Sequence, residues 1–430
     1  MKTIMASATR KHSRTLLTAF AAFMVYCCMY GFRKPFTTGE YEGMALWGIS
    51  FKIWLVMAQT IGYTLSKFAG ISFISALNRD NRGKRILILT GLSWTALFFF
   101  GLFPAPYNVI FIFLNGLPLG MIYGLVFSYL EGRQTTEFLG AVLSASFIFA
   151  SGIAQTIGKL IIFYWGVNEF WMPWFAGLLF FPVLILFTAV LDRTPEPSIS
   201  DQLSRTKRTP MSRKERKKFI YRFLPGIVML VLAYILLTII RDYRSNFASN
   251  IWKDLGYQND PSLYTSTEIP VSIVVLLLMA SLGLIKNNRK AFFINLVVIL
   301  SGFLISVFSM IAFKNGMLTP YWWFTFTGMG LYMSYVPFNC MLFERFIAGA
   351  KMAGNAGFII YVADSFGYLG SNLVLLMKNF GASHISYTGY FEMLFPIFCL
   401  TGFVLVLFSV FYFYPRFGLS KNHKKSWLYV

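Results

Sequence analysis

Cationic side chains set inside otherwise apolar runs are the residues here best able to do chemistry, and their spacing groups them with hydroxyls and amides. Tyr26, Tyr30 and Arg33 recur at i, i+4 and i+7 in the run closing on YGFRKPF, on one side of a helix. Gln59, Tyr63 and Lys67 repeat the arrangement one run later. Ser144, Ser151, Gln155 and Lys159 line up in a third run, Tyr234, Thr238 and Arg241 in a fourth, and Tyr361, Asp364, Tyr368 and Asn372 in a fifth. A charge at the centre of a bilayer costs roughly 2.5 to 3.5 kcal/mol, so charge retained there faces a cavity or a partner. The candidates are Arg33, Lys67, Lys159, Arg241 and Arg244, against Asp364 and Asp242. Excess positive charge in a low-dielectric cavity attracts an anion. Arginine offers it a planar fork of donors suited to carboxylate and phosphate, and lysine a compact point charge.

Each position also has a plainer reading. Arg33 can snorkel from a helix end to the interface, and Lys34, on another face, is read as such an anchor. Lys67 can be half of a structural ion pair, and Lys159 stands near the outer end of its helix. Arg241 and Arg244 flank Asp242, a ready partner. Asp364 is either a coupling carboxylate or the counter-ion of a nearby cation. Glu131, Arg133, Glu344 and Arg345 stand at helix ends, where gate-holding salt bridges are the favoured reading. Cys27, Cys28, Cys340 and Cys399 fall inside helices with no disulfide or metal spacing, as small apolar packers. The chain has no GxSxG, HExxH or phosphate-cradling glycine loop, so neither an enzyme nor a bound cofactor is expected.

The elements that carry these residues follow from composition. With 430 residues, 57% hydrophobic and 13% charged, the chain is too apolar for a soluble globule. About 20 apolar residues span a bilayer as a helix, and twelve such runs are predicted: Thr15 to Phe32, Phe51 to Leu77, Ile86 to Phe103, Val109 to Leu130, Phe138 to Tyr164, Trp171 to Leu191, Phe223 to Arg244, Ile269 to Ile285, Ala291 to Phe313, Tyr321 to Phe343, Ala353 to Met377 and Phe391 to Tyr414. Barrel strands would alternate in polarity, which these runs do not. The expected class is an all-α integral membrane protein. Lys and Arg collect before the first run, after the second and eighth, and at the chain end, which predicts both termini on the cytoplasmic side of the plasma membrane. This accounts for most of the net charge of +21 without nucleic acid. The first run is too long and polar-flanked for a cleaved signal peptide. The tryptophan-rich starts at Asn168 to Phe175 and Pro320 to Phe326 fit an interfacial belt.

Between the sixth and seventh runs lies a polar, proline-bearing basic stretch, which divides the chain into residues 1–192, a linker at 193–222, and residues 223–430. The two parts echo each other. Phe32 to Phe36 (FRKPF) and Tyr243 to Phe247 (YRSNF) match at an offset of 211, and Met121, Tyr123 and Arg133 fall on Met333, Tyr335 and Arg345 at 212. Six plus six helices, a basic central linker and a loop SALNRDNRGKR with Arg79 and Asp80 after the second helix resemble the major facilitator superfamily. MYGFRKPF and GYTLSKFAG are similar to its organophosphate:phosphate antiporter branch. That resemblance implies Arg33 and Lys67 as substrate cations, with Arg241, from YILLTIIRD, as the second binding arginine. The internal repeat instead selects Arg244. The branch's helix 5 histidine is absent from LSASFIFASGIAQ. The resemblance implies an alternating-access carrier exchanging small, phosphate-bearing organic anions, embedded in lipid and monomeric. A proton-coupled symporter using Asp364 or Asp242, and a transporter-like receptor, are the alternatives.

Overall fold

The computed structural model describes residues 2–75, 81–131, 133, 135–196, 213–350 and 357–417. Arg79 and Asp80, most of the linker and the C-terminal tail lie outside these residues, as does the side chain of Tyr361. The described chain is almost entirely helical: α1 (Lys2–Arg33), α2 (Phe51–Ser75), α3 (Arg82–Leu102), α4 (Val109–Leu119), α5 (Ile122–Leu130), α6 (Thr136–Trp165), α7 (Met172–Asp192), α8 (Arg213–Asn246), α9 (Ala248–Asp254), α10 (Leu263–Ser266), α11 (Glu268–Gly283), α12 (Asn288–Lys314), α13 (Pro320–Cys340), α14 (Leu342–Gly349), α15 (Gly357–Gly381) and α16 (Tyr387–Phe417).

Local chemistry explains several boundaries. Pro35 has no N–H with which to continue the helical hydrogen bonding, and α1 stops at Arg33 and gives way to a short turn at Pro35–Thr38. Gly166, at φ +62°, ends α6 in the left-handed conformation. Asn287 caps α12 by accepting from the backbone amides of Arg289 and Lys290. Pro118 and Pro337 lie inside α4 and α13, and each helix gives way shortly afterwards to a second short one. A small antiparallel hairpin, Ala45–Leu46 on Ile49–Ser50, turns through Trp47 and Gly48, both at positive φ. Several helices outrun their predicted spans, since α1 begins at Lys2 and α8 at Arg213. Backbone hydrogen bonding continues into polar sequence, whereas an apolar run marks only the part suited to lipid.

Among the described residues, nine helices are long and apolar enough to cross a membrane. Three more, α2, α13 and α15, of 25, 21 and 25 residues, occupy the remaining predicted spans. The exterior is oily: Leu277, Phe308, Leu369 and Phe411 are each more than half exposed, while Arg33, Lys34, Gln59, Asn115 and Asp364 are buried. That is the reverse of a water-soluble protein. The chain is an all-α, multi-pass membrane protein.

Helices α1 to α7 pack chiefly on one another, α1 against α6 and α7 and α2 against α4; α8 packs on α15 and α16, and α12 on α13 and α16. The two groups meet where α2 faces α15 and where α6 faces α10 and α11. The α12–α13 crossing is tight because glycines face each other across it. A Cβ at Gly330 would stand 2.5 Å from the Gly302 carbonyl oxygen, and one at Gly302 equally close to that of Gly330. Substituting Gly330→Val should therefore destabilise the protein by about 1 to 3 kcal/mol, seen as a lower unfolding midpoint in detergent, whereas Phe308→Val, on the exposed surface, should change it little.

Candidate functional site

The site is built on the C-terminal turn of α1. A helix end leaves carbonyls without intrahelical partners, and here buried amides take them. Asn115 Nδ2 donates to the Phe32 carbonyl (3.1 Å) and Gln59 Nε2 to that of Arg33 (2.9 Å). Gln59 also donates to Asn115 Oδ1 (2.8 Å), and Asn115 to Ser93 Oγ (2.6 Å), so four helices fix this turn. It directs the Arg33 side chain, 8% exposed, onto the face of Tyr63 at 3.8 Å, with Tyr30 at 5.7 Å. No described residue offers Arg33 a carboxylate within ion-pair distance, and its Nε is buried without a hydrogen-bond partner.

From Arg33 a ladder of rings and cations crosses the molecule. Lys67 stands 5.1 Å from the ring centres of both Tyr63 and Tyr368, which meet edge to face at 5.8 Å. Arg241 lies 4.3 Å from Tyr335 and 5.9 Å from Tyr368. Tyr335 stacks on Tyr234 at 5.1 Å, and on the other side Tyr26 packs on Tyr30 and on Tyr123. Two carboxylates enter the ladder. Asp364 Oδ2 is 2.5 Å from Lys67 Nζ, while its Oδ1 accepts from the Tyr234 hydroxyl. Asp242 takes Arg241 (2.7 Å) and Ser371 Oγ (3.2 Å). Three cations, Arg33, Lys67 and Arg241, thus face two carboxylates, and Arg33 is the unmatched one.

The other candidates go elsewhere. Arg244, 1% exposed, pairs with Glu268 (2.6 Å), donates to the Phe324 carbonyl (2.9 Å) and stacks on the Phe324 ring, a buried pair outside the ladder. Lys34 is not at an interface but buried, donating to Asn246 Oδ1 at 2.6 Å. It points there because the residue after a helix end leaves the face of Arg33. Lys159 reaches Glu40 (3.4 Å) at the end of the bundle where α1 finishes, the far end. There Lys253 pairs with Glu40 (2.6 Å) and with Glu42, Lys52 Nζ donates to Ser249 (2.7 Å), and Asn379 bonds the backbone of Ser50 and Gly48. These contacts close the far end between the two helix groups. At the opposite end Arg133 donates to the carbonyls of Tyr129 and Pro195, Arg345 to Asn288 Oδ1 (2.7 Å), and Asp192 accepts from the Tyr129 hydroxyl. Glu131 and Glu344 stand beside them in sequence.

Sequence reasoning missed Glu40, Lys52 and Lys253 as a cluster, and Glu268 as the partner of Arg244; the two lie 24 residues apart. It placed Tyr335 through the repeat and Tyr368 through helical spacing. Only folding could bring them to Arg241.

A multi-pass helical membrane protein with a buried, cation-rich tyrosine ladder is the class that fold and site define. The chain belongs to a family of unknown function (DUF5690), which it matches over residues 35–416. No curated protein matches it.

Two outcomes follow from this geometry. Arg244→Gln leaves Glu268 buried and unpaired and should cost about 3 to 5 kcal/mol, whereas Arg33→Gln removes a cation lacking a carboxylate and should leave the detergent melting point unchanged or raised. At the far end, burial alone would raise the Glu40 carboxyl, but the Lys253 hydrogen bond and the charges of Lys159 and Lys253 outweigh it and hold it below the usual range. The hydrogen bonds to Glu40 and Glu42 raise Lys253. The Glu40 contribution is therefore complete above its unfolded value, about 4.3, and fades as pH falls through its lowered folded value. That of Lys253 fades only in strong alkali. Spin labels at positions 50 and 379 should stay close at neutral pH and separate in acid, and Glu40→Gln should separate them at neutral pH.

Proposed function

We propose that this protein is a secondary transporter of small organic anions, phosphate-bearing ones among them, working by alternating access and anion exchange. The observation that carries the reading is Arg33, a buried guanidinium with no carboxylate partner among the described residues, set in a ladder with Lys67 and Arg241. A charge left uncompensated in a low-dielectric site costs too much to serve packing alone. An anion received there replaces the missing partner, with Arg33 supplying the fork and Lys67 the point charge. Arg241, which shares the ladder, is the second binding arginine; Arg244 belongs to the scaffold.

The carrier is read as two six-helix halves with both termini cytoplasmic in the plasma membrane, acting as a monomer, in the manner of the major facilitator fold. Two contacts support the halves. Lys34 with Asn246, and Thr37 with Ser249, are each 212 residues apart and hydrogen-bonded to one another, at 2.6 and 3.0 Å. That is one residue from the offset of 211 at which FRKPF matches YRSNF, so two segments that echo each other lie side by side, as segments flanking an approximate two-fold axis do. The far end, closed by Glu40, Lys253 and Lys159, is read as the outer side. Empty, the site keeps its excess positive charge, which opposes return of the unloaded carrier and favours exchange.

Liposomes loaded with phosphate test this directly. Wild type should take up labelled phosphate by exchange, and Arg33→Gln and Lys67→Gln should each reduce uptake at least tenfold, a loss of about 1.4 kcal/mol of anion stabilisation. Arg244→Lys, scored on the folded fraction, should retain exchange. Absence of phosphate exchange by well-folded wild type would overturn the reading.

A further inference from the structure

Lys67 and Asp364 form the ion pair that joins the two helix groups at the level of the ladder. They lie 297 residues apart, on α2 and α15, and their side chains are 14% and 7% exposed. Lys253 also makes ion pairs between the groups, with Glu40 and Glu42, at the far end. Asp364 is doubly held, by Lys67 on Oδ2 and by the Tyr234 hydroxyl on Oδ1. Arg33, by contrast, has among the described residues neither a carboxylate nor a partner for its Nε. Arg33 and Lys67 flank the same ring, Tyr63, at 3.8 and 5.1 Å. An anion drawn to Arg33 therefore arrives beside Lys67, whose ammonium has three donors and a single carboxylate.

We propose that Asp364 is a resident counter-anion that the transported anion displaces from Lys67. This rests on the anion-carrier reading and extends it to the step by which occupancy is felt. In the empty site Asp364 neutralises Lys67 and ties α2 to α15. An anion on Arg33 and Lys67 takes over that role, and Asp364 withdraws to Tyr234, which keeps it hydrogen-bonded on its own side of the seam. The exchange of partners loosens the centre of the α2–α15 contact, so the anion differentiates between conformers through a contact it removes. It also sets an order. The arriving group must outcompete a carboxylate at close range, which favours phosphate and other strongly charged oxyanions over weakly charged or neutral solutes.

The test uses the purified full chain in lipid nanodiscs, read by thermal unfolding and by titration with inorganic phosphate. Asp364→Asn leaves Lys67 without its carboxylate and should lower the melting temperature. Phosphate should then restore it, by more than it stabilises wild type, and bind about tenfold more tightly because the internal competitor is gone. The double variant Lys67→Gln with Asp364→Asn removes both charges. It should melt closer to wild type than Asp364→Asn alone and gain little from phosphate. If phosphate binds wild type but binds Asp364→Asn no more tightly and does not restore its melting, Asp364 is a fixed structural partner and the proposal fails while the carrier reading stands. If phosphate stabilises neither wild type nor Asp364→Asn, anion binding at Arg33 fails, and the displacement with it.

Discussion

A guanidinium held in a low-dielectric interior must be compensated, and how Arg33 is compensated organises much of this protein. Its charge rests on the faces of Tyr63 and Tyr30, and its backbone is fixed by Gln59. Arg244 shows the other solution. It is given Glu268, a carbonyl and a ring, and so has a carboxylate of its own. Both arginines are buried near the ends of helices separated by the repeat spacing, and each keeps an unpartnered Nε, yet one has a carboxylate and the other has none among the described residues. Cation–ring contact offsets part of a desolvated charge and leaves its hydrogen-bond donors available. A carboxylate occupies them.

The segment after Arg33 carries the site outward. Lys34 crosses to Asn246, Thr37 accepts from Gln155 Nε2, and Ser249 donates to the Thr37 carbonyl. Glu40, a few residues on, is held by Lys159 and Lys253. One short stretch of chain therefore touches the tyrosine ladder at its start and the far-end closure at its finish. Movement at either place has a direct mechanical route to the other, because Pro35 and the buried turn at Pro35–Thr38 leave little slack between them.

Much of the polar interior is carried by α2 and α15. Gln59 and Lys67 lie on one, Asp364 and Asn372 on the other, and Lys67 meets Asp364 across the seam. Helices that serve only as scaffold, such as α7 and α12, keep their polar groups few and local. Thr188 and Asn295 are buried without crossing the seam.

By itself the sequence determined the class of the protein, because apolar runs about as long as a bilayer is thick admit only helices when every backbone group must be satisfied internally. It also placed Tyr26, Tyr30 and Arg33, and Gln59, Tyr63 and Lys67, on common faces, since helical spacing is a local property. It could not choose between Arg241 and Arg244, which are three residues apart, nor pair Lys67 with Asp364, nor find the Glu40–Lys253 closure. Those depend on which helices meet and at what height. Crossings such as Gly302 on Gly330 decide that through packing among residues distant in the chain. Burial completed the assignment: Lys34, which looks like an interface anchor in one dimension, is enclosed because α8 ends beside it with Asn246.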